Sequence, residues 1–143
     1  MLKLKAEQMG RLTKEEYSLI EKTPLVVILD NIRSMHNIGA VFRTADAFRL
    51  EGIYLCGICC CPPNNEIHKT ALGAELTVNW EYFKKTEDAV SKLKEEGYTV
   101  MAVEQADESV KLQDLHIEKG KKYALVLGHE VFGVQQKVVD LCE

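Results

Sequence analysis

No apolar run in the 143 residues approaches the roughly 18 to 20 that cross a bilayer, and the opening MLKLKAEQMGRLTKEE lacks the apolar centre of a secretory signal. The reading is therefore a non-membrane protein, expected in the cytoplasm. The phosphate-cradling pattern G-x-x-x-x-G-K-[ST] is absent, which disfavours a P-loop nucleotide hydrolase. So is the G-x-S-x-G elbow. Asp30, Ser34 and His36 are residue types of a hydrolytic triad, but all three lie on one short loop. There is no internal repeat and no low-complexity segment. An excess of positive charge is missing too: 18 Lys and Arg stand against 22 Asp and Glu, a formal charge of −4. That excludes a strongly basic nucleic-acid coat but hides an asymmetry. Residues 1 to 50 carry eight basic against six acidic side chains, and the remainder ten against sixteen, so a polyanion would prefer the N-terminal third.

What is present describes one globular domain, with 46% hydrophobic and 28% charged residues. Five cysteines, an odd number without an export signal, read as free thiols. CGICCC (Cys56 to Cys61) with His68 invites a metal reading, but zinc needs four converging ligands and adjacent residues of an extended chain point alternately outward. Small buried side chains at a strand end are the better account, and no metal is expected.

Short β-rich runs alternate with amphipathic segments, the pattern of an α/β domain with a parallel sheet. PLVVILD (Pro24 to Asp30) reads as a strand buried on both faces. Ile38, Val41, Phe42, Ala45 and Phe48 recur at helical spacing, with Asn37 a candidate cap. GIYLCGICC is a second strand. Asn65 is expected to cap a short helix that Gly73 stops, LTVNWEYF to form a strand, and TEDAVSKLKEEG a helix capped by Thr86 and closed by Gly97. YTVMAVE and KYALVLG are further strands, and QQKVVDLCE gives at most two helical turns. Residues 1–23 form an N-terminal helical extension around TKEEYSLIEK, and residues 24–143 the main domain. Trp80, Tyr82 and Phe83 are expected to pack rather than to stack on bases.

In open parallel sheets ligands gather at the carboxyl ends of strands, and two strand exits are rich in polar residues: DNIRSMHNIGAVFR and LGHEVFGV. At the first, Gly39 would let backbone approach a ligand and the helix start would offer N–H groups to an anion. At the second, Gly128 and Gly133 bracket His129, Glu130, Val131 and Phe132.

Together these exits resemble the first two signature motifs of the SpoU or TrmH group of RNA 2′-O-ribose methyltransferases, within the SPOUT class. NIRSMHNIGAVFRTADAF is similar to the first and LVLGHEVFGV to the second, while IHKTALGAE resembles the segment after the family's second strand. The resemblance implies a parallel-sheet SPOUT fold with a C-terminal trefoil knot, an exception to unknotted topology. It further implies methyl transfer from S-adenosylmethionine to a ribose 2′-hydroxyl of tRNA or rRNA, and a homodimer that shares its active site. By the same likeness Arg43, Asn37 and Glu130 are the catalytic candidates. Arg43 would serve either as proton acceptor or as electrostatic support for a developing alkoxide, the second sitting better with a guanidinium pKa above about 12. Leu127, Gly128 and Gly133, with Val103 and Glu104 by position, are cofactor candidates, and Arg33, Asn37, Arg43 and Arg11 candidates for RNA contact. The family's third motif, rich in Pro, Ser, Leu and Asn, is not reached before Glu143. The expectation is thus a chain lacking the knotted strand and helix, part of a longer methyltransferase. The alternative is a non-catalytic RNA-binding or dimerisation module of the same fold.

Overall fold

The computed structural model describes residues 1–5, 10 and 12–143. Five strands make one sheet in the order β3-β2-β1-β5-β4, every pair parallel. They are β1 (Thr23–Asp30), β2 (Leu50–Cys56), β3 (Trp80–Phe83), β4 (Tyr98–Ala102) and β5 (Lys122–Gly128). The helices are α1 (Lys14–Leu19), α2 (Met35–Ala47), α3 (Asn65–Ala71), α4 (Thr86–Glu95) and α5 (Gln136–Val139).

β1 lies at the centre, and its continuous apolar run serves both faces. Val27 and Leu29 pack with Ile38, Phe42, Ile53, Leu55 and Ile67 beneath α2 and α3. Val26 and Ile28 pack with Val90, Leu93, Val100, Val126 and Val138 beneath α4 and α5. Alternation of side chains along a strand permits this double burial, and helix crossovers between parallel strands supply the two covers. From β1 the chain steps outward to β2 and β3, then crosses to the far edge for β4 and returns through β5. The exits of β1 and β5 are therefore neighbours at the point where strand order reverses.

Several local expectations are corrected. The cap of α2 is Ser34, whose hydroxyl accepts from Asn37 N–H at 3.2 Å, and Asn37 lies inside the first turn. Asn64, not Asn65, caps α3, its Oδ1 accepting from Glu66 and Ile67 N–H at 2.8 and 3.1 Å. Lys85 holds the cap position of α4 without a side-chain bond. Thr86 instead donates its hydroxyl to buried Asp30 Oδ1 at 2.6 Å. β2 ends at Cys56, because Gly57 takes φ +65° and Cys59 N–H closes a turn onto Cys56 O. β3 begins only at Trp80: Ala74–Leu76 form a 3₁₀ turn, and Thr77 donates to Asp46 Oδ1 at 3.2 Å. Tyr17 of α1 is buried. Its phenol is pushed up by burial and by Asp46, with Arg49 opposing.

No helix among the described residues is long and apolar enough to cross a membrane.

Candidate functional site at the exits of β1 and β5

Past Asp30 the main chain turns through Asn31, which takes φ 55° and accepts from Ile58 N–H at 3.0 Å. Asn is among the few residues that tolerate this left-handed geometry. The next residues, Ile32 to Ser34, lead into α2. Glu130, in the loop after β5, reaches across to them: its carboxylate accepts from Ser34 N–H at 2.9 Å and Arg33 N–H at 3.2 Å. Burial pushes its pKa up, but those two amides, its own, and the Asn37 side chain outweigh burial and hold it below the usual carboxylate range. The two polar exits noted in the sequence are thus one structure, clasped by Glu130.

The loop carrying Glu130 is itself closed. His129 and Gly133 exchange main-chain hydrogen bonds at 3.1 and 2.9 Å. A side chain at Gly128 would overlap the Gly133 and Val134 backbone, and one at Gly133 would overlap the Glu104 carboxylate. Both glycines therefore serve close packing of the loop. Glu104 accepts from Gln105 N–H and Val134 N–H, both at 2.9 Å, and these amides hold its pKa low against slight desolvation. Its carboxylate is thus engaged in anchoring this loop.

Deeper down, Asp30 is fully buried and accepts from Thr86 Oγ1, Gln135 N–H at 2.9 Å and Gln135 Nε2 at 2.7 Å. Sequence reasoning weighed Asp30 only as a triad residue type. Its position at the end of an apolar strand was the available signal for a buried carboxylate that needs partners.

A cavity of about 480 Å³ opens between the two exits, lined by Arg33, Ser34, His36, Glu66, His129 and Glu130 among others. Glu66 belongs to α3 and was not singled out from the sequence; its Oε2 lies 2.8 Å from His36 Nε2, and Lys69 holds its other oxygen at 2.8 Å. Lys69 and His36 together lower the Glu66 pKa.

Asn37 is exposed in the first turn of α2 beside Glu130. Arg43 is also exposed, lies outside the cavity lining, and has no hydrogen-bond or ion-pair partner among the described residues. It stands seven residues beyond His36, about 10 Å along the same helix. Arg11 lies outside the described residues. The expected role of Gly39 is corrected: a Cβ there would overlap Thr70 Oγ1 and Ile67 O and sit 3.0 Å from Ala71 N, so this glycine lets α2 and α3 touch.

At the end of β5, pairing with β4 stops at Ala102 opposite Val126, with one further bond from Val103 N–H to Val126 O. Because both main-chain groups of a residue in a parallel strand point to one side, those of Gly128 face the edge that β4 leaves. Val103, 55% exposed, stands at that opening.

The cysteines are dispersed by the same geometry. Cys56 lies in the cluster under α4 and Cys59 in the cluster under α2, while Cys60 is exposed. Burial pushes the Cys56 thiol up to about 12 and that of Cys59 to about 11. His68, the other imagined ligand, pairs with Glu75 through Nδ1 at 3.2 Å. No three His, Cys, Asp or Glu among the described residues converge on a metal position.

A doubly covered parallel sheet with a clasped polar site at the switch point defines a ligand-binding α/β domain of the crevice type. More particularly, the profile of the SpoU rRNA Methylase family matches residues 24–143, and the chain belongs to that family. A 23S rRNA (guanosine-2'-O-)-methyltransferase of Neisseria meningitidis is 30% identical over 125 residues, covering 87% of this chain and 48% of the relative. A tRNA (guanosine(18)-2'-O)-methyltransferase of Aquifex aeolicus is 27% identical over 125 residues, covering 83% and 55%. The chain spans about half the length of the curated relatives it matches. Among solved structures, an AdoMet-bound rRNA methyltransferase of Sinorhizobium meliloti superposes with a TM-score of 0.76 at 26% identity, covering 85% of this chain and 46% of that one. The sheet and its neighbours in structure make this the SPOUT-type α/β fold expected from the motifs.

Proposed function

We propose that the protein containing this chain transfers a methyl group from S-adenosylmethionine to a ribose 2′-hydroxyl of tRNA or rRNA, as a homodimer. The observation that carries the reading is the Glu130 clasp, which joins the two motif loops into one preorganised site beside a cavity. The relatives named for 2'-O methylation of tRNA and rRNA support the substrate class.

The residues at the β5 exit fit the cofactor in part. The main-chain groups of Gly128 face the edge that β4 leaves after Ala102, Val103 stands exposed at that opening, and Leu127 precedes Gly128 on β5. These three would hold the adenosine end, whereas Glu104 and Gly133 act from behind by fixing the loop. When bound, S-adenosylmethionine supplies an electrophilic methyl group. This chain's own part is to place the acceptor. Arg33 at the cavity, with Asn37 and Arg43 on the exposed side of α2, gives RNA phosphates a basic approach, and Arg43 would also favour a developing alkoxide electrostatically.

Calorimetric titration of S-adenosylmethionine into the whole protein, with mass-spectrometric assay of 2′-O-methylated nucleosides in tRNA and rRNA, tests the reading. Binding and modification are expected, with Arg43→Ala abolishing modification and leaving cofactor affinity nearly unchanged. Failure of the whole protein to bind the cofactor overturns the proposal and leaves a non-catalytic RNA-binding or dimerisation module.

A further inference from the structure

Two histidines line the cavity, and their hydrogen bonds give both the Nε2–H neutral tautomer while leaving a different nitrogen of each ring free. His36 Nε2 lies 2.8 Å from a Glu66 carboxylate oxygen, which can only accept. Nε2 therefore carries the proton, and Nδ1, which has no partner among the described residues, keeps its lone pair. In His129 the engaged nitrogen is the other one. Its Nδ1 accepts from Val131 N–H at 3.0 Å and Phe132 N–H at 3.2 Å, so its proton resides on Nε2. The Phe132 ring stacks on it, with centroids 4.9 Å apart and planes at 25°, which holds the ring's orientation. One wall of the cavity thus offers a proton acceptor and another a donor. The other charged groups around His36 are Lys69 on α3, Arg33 before α2, and Glu130 after β5.

Resting on the methyl-transfer reading, we propose that His36 is the proton acceptor of this site. Its Nδ1 takes the proton of a ribose hydroxyl bound in the cavity, Glu66 orients the ring and stabilises the imidazolium, and His129 Nε2–H hydrogen-bonds the same sugar. The O–H electron pair stays on the ribose oxygen, which bonds to the methyl carbon while the C–S pair returns to the donor's sulfur. The proton then passes from His36 to water. A carboxylate on one imidazole nitrogen with the base at the other is the division of labour seen in hydrolytic triads. Arg43, about 10 Å further along the helix, has a guanidinium that keeps its proton and so acts through its charge, on phosphate and on the developing alkoxide, rather than as the acceptor.

Two measurements test this. Nitrogen-15 NMR of the present chain should show His36 mainly as the Nε2–H tautomer and His129 likewise, with His36 losing that preference in Glu66→Ala. A predominantly Nδ1–H His36 in the unsubstituted chain overturns the proposal. In the whole protein, His36→Ala should lower kcat by about 100-fold or more with KM little changed, and added imidazole should restore part of the rate. A His36→Ala protein within twofold of wild type, with the same pH profile, overturns the acceptor role while methyl transfer stands. A wild-type protein that modifies no RNA overturns the functional reading itself, and with it the ribose as proton donor.

Discussion

Replacing Gly39 by alanine separates two uses of a glycine at a helix start. The added Cβ would overlap the hydroxyl of Thr70 and the carbonyl oxygen of Ile67, and would sit 3.0 Å from Ala71 N. Thr70 cannot swing aside freely, because its hydroxyl donates to His36 O at 2.8 Å, and Ile67 O belongs to the α3 backbone. Relief therefore requires α2 and α3 to part, loosening Ile38, Phe42, Ile67 and Ala71, all buried in one cluster. Overpacking of this kind costs about 3 kcal/mol. Alanine returns about 1 kcal/mol through helix propensity. The expected net destabilisation is about 2 kcal/mol, or roughly 6 to 8 °C in Tm for a domain of this size. Urea unfolding followed by circular dichroism measures it directly, with unchanged m-value. An unchanged or raised midpoint would refute the helix-contact account and return Gly39 to the role of admitting a ligand.

Three further outcomes follow from the carboxylates and thiols. Asp30→Ala should destabilise by about 2 to 4 kcal/mol, since buried Thr86 Oγ1 and the half-buried Gln135 donors would lose their acceptor. A loss below about 1 kcal/mol in the same urea assay would contradict that account. Glu130 has its folded pKa depressed, so its contribution to closing the loops is complete above the unfolded carboxylate pKa and fades as pH falls through the lower folded value. Hydrogen exchange at Arg33 and Ser34 N–H should stay slow near neutrality and quicken only in acid; in Glu130→Gln it should be faster already at neutral pH. Alkylation at pH 8 read by peptide mass spectrometry should mark exposed Cys60 first and leave Cys56 and Cys59, raised to about 12 and about 11, unmodified in the folded chain. Early labelling of Cys56 would show that β2 opens locally.

Much of this fold is legible in the sequence because its central signals are local. An apolar run such as PLVVILD has few alternatives to a doubly buried strand, and Gly97 after a charged amphipathic segment stops a helix as expected, with φ +88°. The misplacements share a cause. The apolar period expected for α2 starts from Ile38, although Met35, three residues earlier, packs on the same cluster; without Met35, two cap-forming residues three apart, Ser34 and Asn37, are indistinguishable from sequence. Gly39 was read for the ligand side because its true neighbours, Ile67 and Thr70, lie some 30 residues away. The His36–Glu66 pair is separated equally far, and no spacing rule connects them. By contrast, the bond from Val131 N–H to His129 Nδ1 spans two residues, a local loop feature that composition does not announce.

The carboxylates at the site argue for loops set before any ligand arrives. Asp30, at the end of β1, accepts from Gln135 beyond β5; Glu130, beyond β5, accepts from Arg33 and Ser34 beyond β1; and Glu104, beyond β4, accepts from Val134. The stitches between β1 and β5 are reciprocal, so neither loop can move without breaking bonds to the other. Each uses a main-chain N–H rather than a lysine or arginine as donor. Bonds of that kind respond little to ionic strength, in contrast to contacts with nucleic-acid phosphates, which weaken steeply with salt. In the proposed complex, raising salt should therefore release RNA while leaving amide protection at Arg33, Ser34 and Val134 intact. Parallel loss of protection and RNA affinity across a salt titration would mean that RNA, not these carboxylates, orders the loops.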